Sequence, residues 1–386
     1  MKVVFINCYF NHHQKPFSDA LVEEGIEFAF IETMQMPEHR KLLKYQEINR
    51  PEYVFSWLMQ PKKCEQIIDQ SDVVLFSSAP EKLFRRCFGK NKVLFRVTER
   101  PLKRRGEWHK FVVRFLRWHW RNPSSETIYL LSASAYAPRD YRLFHLFQNR
   151  AFKWGYFPDC ELEEDIMVRI QSKVPNSLIW VGRFLDWKHP ENAIYAASEL
   201  KKAGHRFYLT MVGTGPMHEE LRALTEQLGL SDCICFLGPV SPERVRNEMK
   251  KNEIFLLTSD RHEGWGAVLN EAMNSGCAVV ASHLAGATPY LINPGINGLV
   301  YHADNVRELS DCIDRYLTRS DERVAIAKQA YDTIMQEWNA KNAAHRFKAL
   351  ADQLKAGHSA LQLFSSGPCS PAQIIQEDWF CENKNS

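Results

Sequence analysis

The sequence has no run of about 20 apolar residues, which excludes a hydrophobic helix of the kind that crosses a bilayer. Its opening residues, Met1-Lys2-Val3-Val4-Phe5-Ile6-Asn7, lack the basic flank and cleavage site of a secretory signal and read as a first strand, so a cytoplasmic location is expected. The ten cysteines (Cys8, Cys64, Cys87, Cys160, Cys233, Cys235, Cys277, Cys312, Cys369, Cys381) stand mostly singly inside apolar runs, without metal-finger spacing. That argues against a disulfide framework or a zinc module and for thiols in a reducing compartment. No Asp-x-Asp occurs at a strand end, where a carboxylate pair would chelate a diphosphate through Mg²⁺ or Mn²⁺; the expected site holds no metal. Charge is nearly balanced, 49 Lys and Arg against 46 Asp and Glu for a formal +3, and no nucleic-acid-binding module is recognisable. Nucleic acid is therefore not an expected partner.

What the chain does have is 386 residues, 45% of them hydrophobic, enough for two cores. Strand-like runs at Val3–Asn7, Phe28–Glu32, Val73–Ser77, Val93–Thr98, Ile128–Ala133 and Phe152–Phe157 alternate with helical stretches. The second half repeats the alternation at Leu178–Gly182, Phe207–Gly213, Ile234–Gly238, Ile254–Ser259, Ala278–Ser282 and Gly298–Tyr301. Such alternation predicts an α/β fold of parallel sheets covered by helices, with ligands beyond the carboxyl ends of the strands. The acidic, proline-containing stretch from Pro158 to Asp165 breaks the rhythm. The expected division is 1–172 for a first Rossmann-like domain, 173–338 for a second, 339–356 for a closing helix and 357–386 for a C-terminal extension.

The most informative stretch is His262-Glu263-Gly264-Trp265-Gly266-Ala267-Val268-Leu269-Asn270-Glu271-Ala272-Met273. It follows the apolar run Ile254-Phe255-Leu256-Leu257 and reads as strand, glycine-containing turn and helix start, where unpaired N–H groups and the helix dipole favour an anion. Glu263 belongs to the loop and Glu271 to the helix, so the two carboxylates have different tasks; a carboxylate suits the vicinal hydroxyls of a ribose or hexose. Upstream, the strand ending at Gly182 is followed by Arg183, a planar fork for phosphate oxygens, and Lys188, a mobile point charge. Pro190 then fits the first turn of a helix running to about Ala203.

Together with Val212-Gly213-Thr214-Gly215-Pro216, Phe236-Leu237-Gly238-Pro239-Val240, Gly276-Cys277-Ala278-Val279-Val280-Ala281-Ser282, Gly286 and Asn297-Gly298-Leu299-Val300, these segments resemble the C-terminal half of the retaining glycosyltransferases of family 4. The resemblance runs from about Ser177 to His302. It implies the GT-B fold, two Rossmann-like domains of doubly wound parallel sheet facing each other across a cleft. It further implies that Arg183 and Lys188 hold the diphosphate of a nucleotide sugar and that Glu263 faces the donor sugar. By the same likeness the turn Gly264, Trp265, Gly266 and Ala267 supplies backbone N–H groups, Glu271 takes the ribose hydroxyls, and Gly213 and Val240 line the nucleotide site. Trp265 either sizes the sugar pocket or packs on the sheet.

The first half departs from the commonest pattern of that family. In place of a glycine-rich loop, Tyr9-Phe10-Asn11-His12-His13-Gln14-Lys15-Pro16 follows the first strand. Asn11, His12 and His13 are candidates for the acceptor side, as are Glu99 and Arg100 at the end of the fourth strand. The segment 100–121 carries Arg100, Lys103, Arg104, Arg105, Lys110, Arg114, Arg117 and Arg121 against the single acid Glu107. Its helical spacing predicts a stripe of Lys110, Arg114, Arg117 and Arg121 opposite Phe111, Val112, Phe115, Leu116 and Trp118. Such a helix fits an anionic membrane surface or, equally, packing of its apolar side on the first sheet.

The expected activity is retaining transfer of a hexose-type sugar from a nucleotide-diphosphate sugar to a hydroxyl of a glycan or lipid-linked acceptor, without metal or cofactor, in the synthesis of cell-surface polysaccharide. Two alternatives are a nucleotide-sugar epimerase on the same fold and a non-catalytic scaffold subunit.

Overall fold

A computed structural model of the chain describes residues 1–36, 49–103, 111–123 and 127–381. Arg104, Arg105 and Lys110 of the basic segment lie outside the described residues. Among the described residues, thirteen strands form two all-parallel sheets. The first contains β1 (Lys2–Asn7), β2 (Glu27–Glu32), β3 (Val54–Ser56), β4 (Val73–Phe76), β5 (Val93–Thr98), β6 (Ile128–Ser132) and β7 (Ala151–Lys153), in the order β3-β2-β1-β4-β5-β6-β7. The second contains β8 (Val174–Val181), β9 (Tyr208–Val212), β10 (Ile234–Gly238), β11 (Asn252–Leu257), β12 (Ala278–Ser282) and β13 (Leu299–Tyr301), in the order β10-β9-β8-β11-β12-β13.

Successive residues of a strand point to opposite faces, so a strand buried along its whole length must be covered on both. Val73-Val74-Leu75-Phe76 of β4 and Ala278-Val279-Val280-Ala281-Ser282 of β12 are buried throughout. Strand β3 carries no such signal, because its three residues form a half-buried edge. Strand β7 is shorter than the apolar run that suggested it. Beyond Lys153 one more bond, from the Trp154 N–H to the Ser132 carbonyl at 3.1 Å, ends the pairing, and the Trp154 and Phe157 rings pack on Phe17.

Packing groups 1–36, 49–159 and 337–376 into one compact unit, and 160–336 with the last described residues, 377–381, into another. The acidic stretch goes with the second unit: the carboxylate of Glu161 pairs with Arg246 (3.1 Å) and Lys250 (2.5 Å), and the Glu163 N–H donates to Tyr331 Oη at 2.9 Å. Packing thus turns over at Asp159, ahead of the 172/173 division read from strand rhythm. Helix Ala340–Lys355 packs in the first unit along helix Lys15–Glu23, its Phe347 ring set among Phe17, Phe95 and Trp154.

The basic segment does form a helix, Phe111–Arg121, but its faces differ from the expected division. Phe111, Phe115 and Trp118 pack against the first core, whereas Val112 and Leu116 are 67% and 63% exposed. Apolar side chains therefore occupy two sides of this helix, not one.

Candidate active site

In the second sheet β8 and β11 lie side by side, and the chain winds away from them in opposite directions. The loops leaving their carboxyl ends diverge, which opens a crevice at the switch point, the usual ligand position in such sheets. Lys188 enters from the loop after β8 and Glu263 from the loop after β11. Their side chains meet at 2.5 Å, each only 12% exposed, and Ser259 Oγ donates a second bond to the same carboxylate oxygen at 3.0 Å.

Three further ties hold the two loops together. Thr258 Oγ1 donates to the Lys188 carbonyl at 2.7 Å and accepts from Trp180 Nε1 at 2.7 Å. The Asp260 N–H donates to the Trp187 carbonyl at 2.9 Å. Between them stands His189, in the left-handed region at φ 47°, with Nδ1 2.8 Å from Glu191 and Nε2 3.7 Å from Asp260. Hydrogen bonding to Asp260 and to Glu191 raises the His189 pKa to about 10, against the opposing effect of burial, so the imidazole is cationic at neutral pH. Burial pushes Asp260 up, but hydrogen bonds from His189 and His262 hold it below its ordinary value. Sequence spacing does not single out His189. Only its positive φ, at a position that would suit glycine, and its two carboxylate neighbours mark it.

Close approach explains two glycines. A Cβ on Gly213 would fall 1.8 Å from the Gly182 carbonyl oxygen, and one on Gly215 would fall 2.3 Å from that of Phe184. The loops after β8 and β9 therefore touch backbone to backbone, and Gly213 acts by permitting that contact. Gly266, at φ 94°, caps helix Ala267–Asn274 and turns the chain so that its first N–H groups, which have no intrahelical acceptor, face out of the helix end. The turn before it is locked by the Gly286 N–H to the Glu263 carbonyl (3.2 Å) and the Ala287 N–H to the Trp265 carbonyl (3.0 Å).

Of the two expectations for Trp265, burial favours packing. Its side chain is fully buried and its indole N–H donates to Asn270 at 2.9 Å, so it anchors the turn from beneath and leaves no ring to size a sugar pocket. Gly264 is buried with it, while Ala267 is half-exposed.

Glu271 is half-buried on the same helix, and its carboxyl has no hydrogen-bond partner among the described residues. Burial raises its pKa to about 7, moderated by the charge of Arg246. The Arg183 guanidinium, half-buried in the loop after β8, likewise makes no ion pair among the described residues. Val240 is half-buried between β10 and helix Pro242–Lys251, whose first turn is capped by Ser241 Oγ accepting from the Arg244 N–H.

The first unit repeats the topology, with its switch point between β1 and β4. At the carboxyl ends of its strands lies a cavity of about 610 Å³ whose lining includes Ser77, Thr98, Glu99, Lys103, Arg121 and Tyr156. Glu99 is held by Lys103 at 2.8 Å and by Tyr156 Oη at 2.8 Å, and the Tyr156 ring stacks on His13. His13 in turn lies against His12, their ring centroids 3.9 Å apart. Asn11 Oδ1 accepts from the His13 N–H at 2.8 Å and so shapes the loop that presents both histidines. Tyr156 is the residue joining these candidates, and no sequence motif points to it. Arg100 lines the same cavity as Glu99 but is more deeply buried, lying over the Tyr136 ring and pairing with buried Asp140 at 3.2 Å.

Residues 163–333, all in the second unit, match the family model described as Glycosyl transferases group 1. An uncharacterized glycosyltransferase of Methanocaldococcus jannaschii is 29% identical over 192 residues, 50% of this chain and 48% of that protein. The GDP-mannose-dependent alpha-(1-6)-phosphatidylinositol monomannoside mannosyltransferase of Mycobacterium tuberculosis is 23% identical over 209 residues, 53% of each. The chain thus spans about half the length of the curated relatives it matches. Over nearly the whole chain, the crystal structure of Anabaena HepE in complex with UDP superposes with a TM-score of 0.68 at 17% identity, covering 92% of this chain and 100% of that one. The second unit thus matches the glycosyltransferase group 1 family, and the chain as a whole has the GT-B fold.

Proposed function

We propose that this protein is a retaining, metal-independent glycosyltransferase of family 4 type that moves a hexose from a nucleotide-diphosphate sugar to a hydroxyl of a glycan or lipid-linked acceptor, in cell-surface polysaccharide synthesis at the cytoplasmic side. One observation carries the reading. The loops and helix start that follow the adjacent strands β8 and β11 carry an ammonium–carboxylate pair (Lys188 and Glu263), a glycine-capped helix, and a guanidinium (Arg183) and a carboxyl (Glu271) that have no hydrogen-bond partner among the described residues. The groups match a nucleotide sugar part by part. Arg183 and Lys188 take the diphosphate, Glu263 the sugar hydroxyls and Glu271 the ribose hydroxyls, with Val240 beside the base.

Lys188 and Glu263 neutralise each other across the two loops. Arrival of donor exchanges that contact for two: the ammonium turns to phosphate oxygen and the carboxylate to hydroxyls. In the transfer step the bond from the anomeric carbon to the phosphate oxygen breaks, its electron pair leaving with the nucleoside diphosphate. The acceptor oxygen bonds to the anomeric carbon on the same face, and its proton passes to the departing phosphate. Arg183, Lys188 and the N–H groups at Gly266 and Ala267 stabilise the charge that develops there. The named dependence of the mycobacterial relative on GDP-mannose and the UDP held by HepE support a nucleotide-activated donor.

The test is calorimetry of the protein with UDP, GDP, ADP and CMP and their sugar conjugates, with and without EDTA. Binding of one diphosphate nucleotide that survives EDTA and is lost in Glu271→Ala is expected. Turnover of the donor sugar to an epimer without acceptor would replace this reading with the epimerase, and no binding at all would remove it.

A further inference from the structure

Helix Phe111–Arg121 is the one described helix that exposes four large apolar side chains: Val112 (67%), Val113 (59%), Leu116 (63%) and Trp120 (54%). At 3.6 residues per turn these four fall within an arc of about 100°. The next positions around the helix are Arg117, Arg121 and Arg114, and the remaining side, Trp118, Phe111 and Phe115, packs into the first core. No acidic residue occurs in the helix. Arg121 Nε lies 3.4 Å from Glu81. The cationic border continues onto the neighbouring helix Glu81–Arg85, where Arg85 lies over the Trp120 ring at 4.5 Å and donates to the Trp120 carbonyl at 2.6 Å.

A helix whose only function was to cover the core would bury its apolar residues and present polar ones to water. This one already buries an aromatic stripe and carries a second apolar strip outward, bordered by cations. An apolar strip with an arginine border is complementary to an interface that is greasy below and negatively charged above, which is the boundary of an anionic bilayer. Trp at its end suits the headgroup level. The same helix lines the cavity of the first unit through Trp118 and Arg121.

We propose that the outward face of helix Phe111–Arg121 docks the protein on an anionic lipid surface, with the cavity beside it receiving the polar head of an acceptor anchored in that surface. The second part rests on the transferase reading above and narrows its acceptor to the lipid-linked class; the first part stands without it. Docking through Val112, Leu116 and Trp120 leaves Trp118, on the inward side, and Arg121, on the cationic border, lining the cavity that would receive the acceptor head.

The experiment is co-sedimentation of the full chain with phosphatidylcholine vesicles, with and without phosphatidylglycerol, and no donor or acceptor present. Binding is expected only with phosphatidylglycerol and is expected to weaken as salt rises. Arg114→Gln with Arg117→Gln should weaken it about 25-fold, about fivefold for each cation near the surface. Leu116→Gln with Trp120→Gln should weaken it at least tenfold, while nucleotide binding by both variants stays at the wild-type value and so reports an intact fold. Equal binding by wild type and variants, or none to anionic vesicles, would overturn the docking proposal. A concentration-dependent dimer that Leu116→Gln abolishes would show instead that a second copy covers this face. Loss of nucleotide binding with retained vesicle binding would remove the transferase reading and leave the docking face standing.

Discussion

The pKa of Glu271 leads to a pH dependence that a generic nucleotide site would not have. Burial places this carboxyl at about 7, against an ordinary 4.5, and no described side chain donates to it. An ionised carboxylate accepts both hydrogen bonds of a ribose diol, whereas the protonated acid gives up one acceptor. At pH 8 about nine-tenths of the free protein carries the carboxylate; at pH 5.5 only about 3% does. If binding selects the ionised form, the Kd for the nucleoside diphosphate rises by about 30-fold across that interval. The nucleotide's own phosphate titrates near 6, so the readout is the difference between wild type and Glu271→Gln, measured by calorimetry at each pH. The variant should bind more weakly at pH 8 and show only the phosphate's own slope. Stability moves the opposite way. A carboxyl with a raised folded pKa binds its proton more tightly in the folded state, so its contribution falls as pH rises from 4.5 to 7. Ionisation of Glu271 costs the folded protein at most about 3 kcal/mol at pH 8, and nearer 1 kcal/mol once partial exposure is allowed for. Glu271→Gln should therefore melt higher than wild type at pH 8 and level with it at pH 4.5. Parallel binding profiles for the two proteins, with no gain in melting temperature at pH 8, would refute the reasoning.

The other predictions concern the loops around the same crevice. Arg183→Ala combined with Lys188→Ala should lower turnover by about 10⁴ or more, taking about 10²–10³ for each charged group facing the departing phosphate, with the circular dichroism spectrum unchanged; activity within tenfold of wild type would put the diphosphate elsewhere. Gly213→Ala should cost more than about 3 kcal/mol in denaturant unfolding, because its Cβ would overlap the Gly182 carbonyl oxygen at 1.8 Å. Gly238→Ala, also at positive φ but with nothing within 4 Å, should cost only about 1 kcal/mol, and equal costs would show that backbone conformation alone decides. His189, with a folded pKa of about 10, contributes stability fully present below its ordinary 6.5 and lost as pH rises toward 10. The melting-temperature gap between wild type and His189→Gln should accordingly narrow over that range, and a constant gap would mean that the imidazole is not charged.

Much of the architecture was legible from local pattern. Buried parallel strands are short apolar runs ended by turn residues, so β5, β10 and β12 were read to the residue at Val93–Thr98, Ile234–Gly238 and Ala278–Ser282. Positions at strand ends follow from the same runs, which is why Arg183 and Lys188 can be placed after one strand and Glu263 and Glu271 after another, while their joint role is what the family resemblance implies. Edge strand β3 escaped because three half-buried residues make no pattern.

Side-chain partners were not legible in the same way. That Trp265 is an anchor and not a pocket wall depends on Asn270, and on Ala287 arriving from another loop. The link from His13 through Tyr156 to Glu99 joins three loops of the first sheet, and Arg100 differs from its neighbour Glu99 only because Asp140 lies 3.2 Å from it. The period of each element, and therefore the two parallel sheets, follows from local order, because strand and helix periodicity is a property of neighbouring residues. Which residues meet was decided only in the tertiary structure. Pairing Lys188 with Glu263, lodging His189 beside Asp260 and leaving Val112 and Leu116 outside the core depend on distances between segments far apart in the chain. Those distances are set by strand order and packing, which no local pattern encodes.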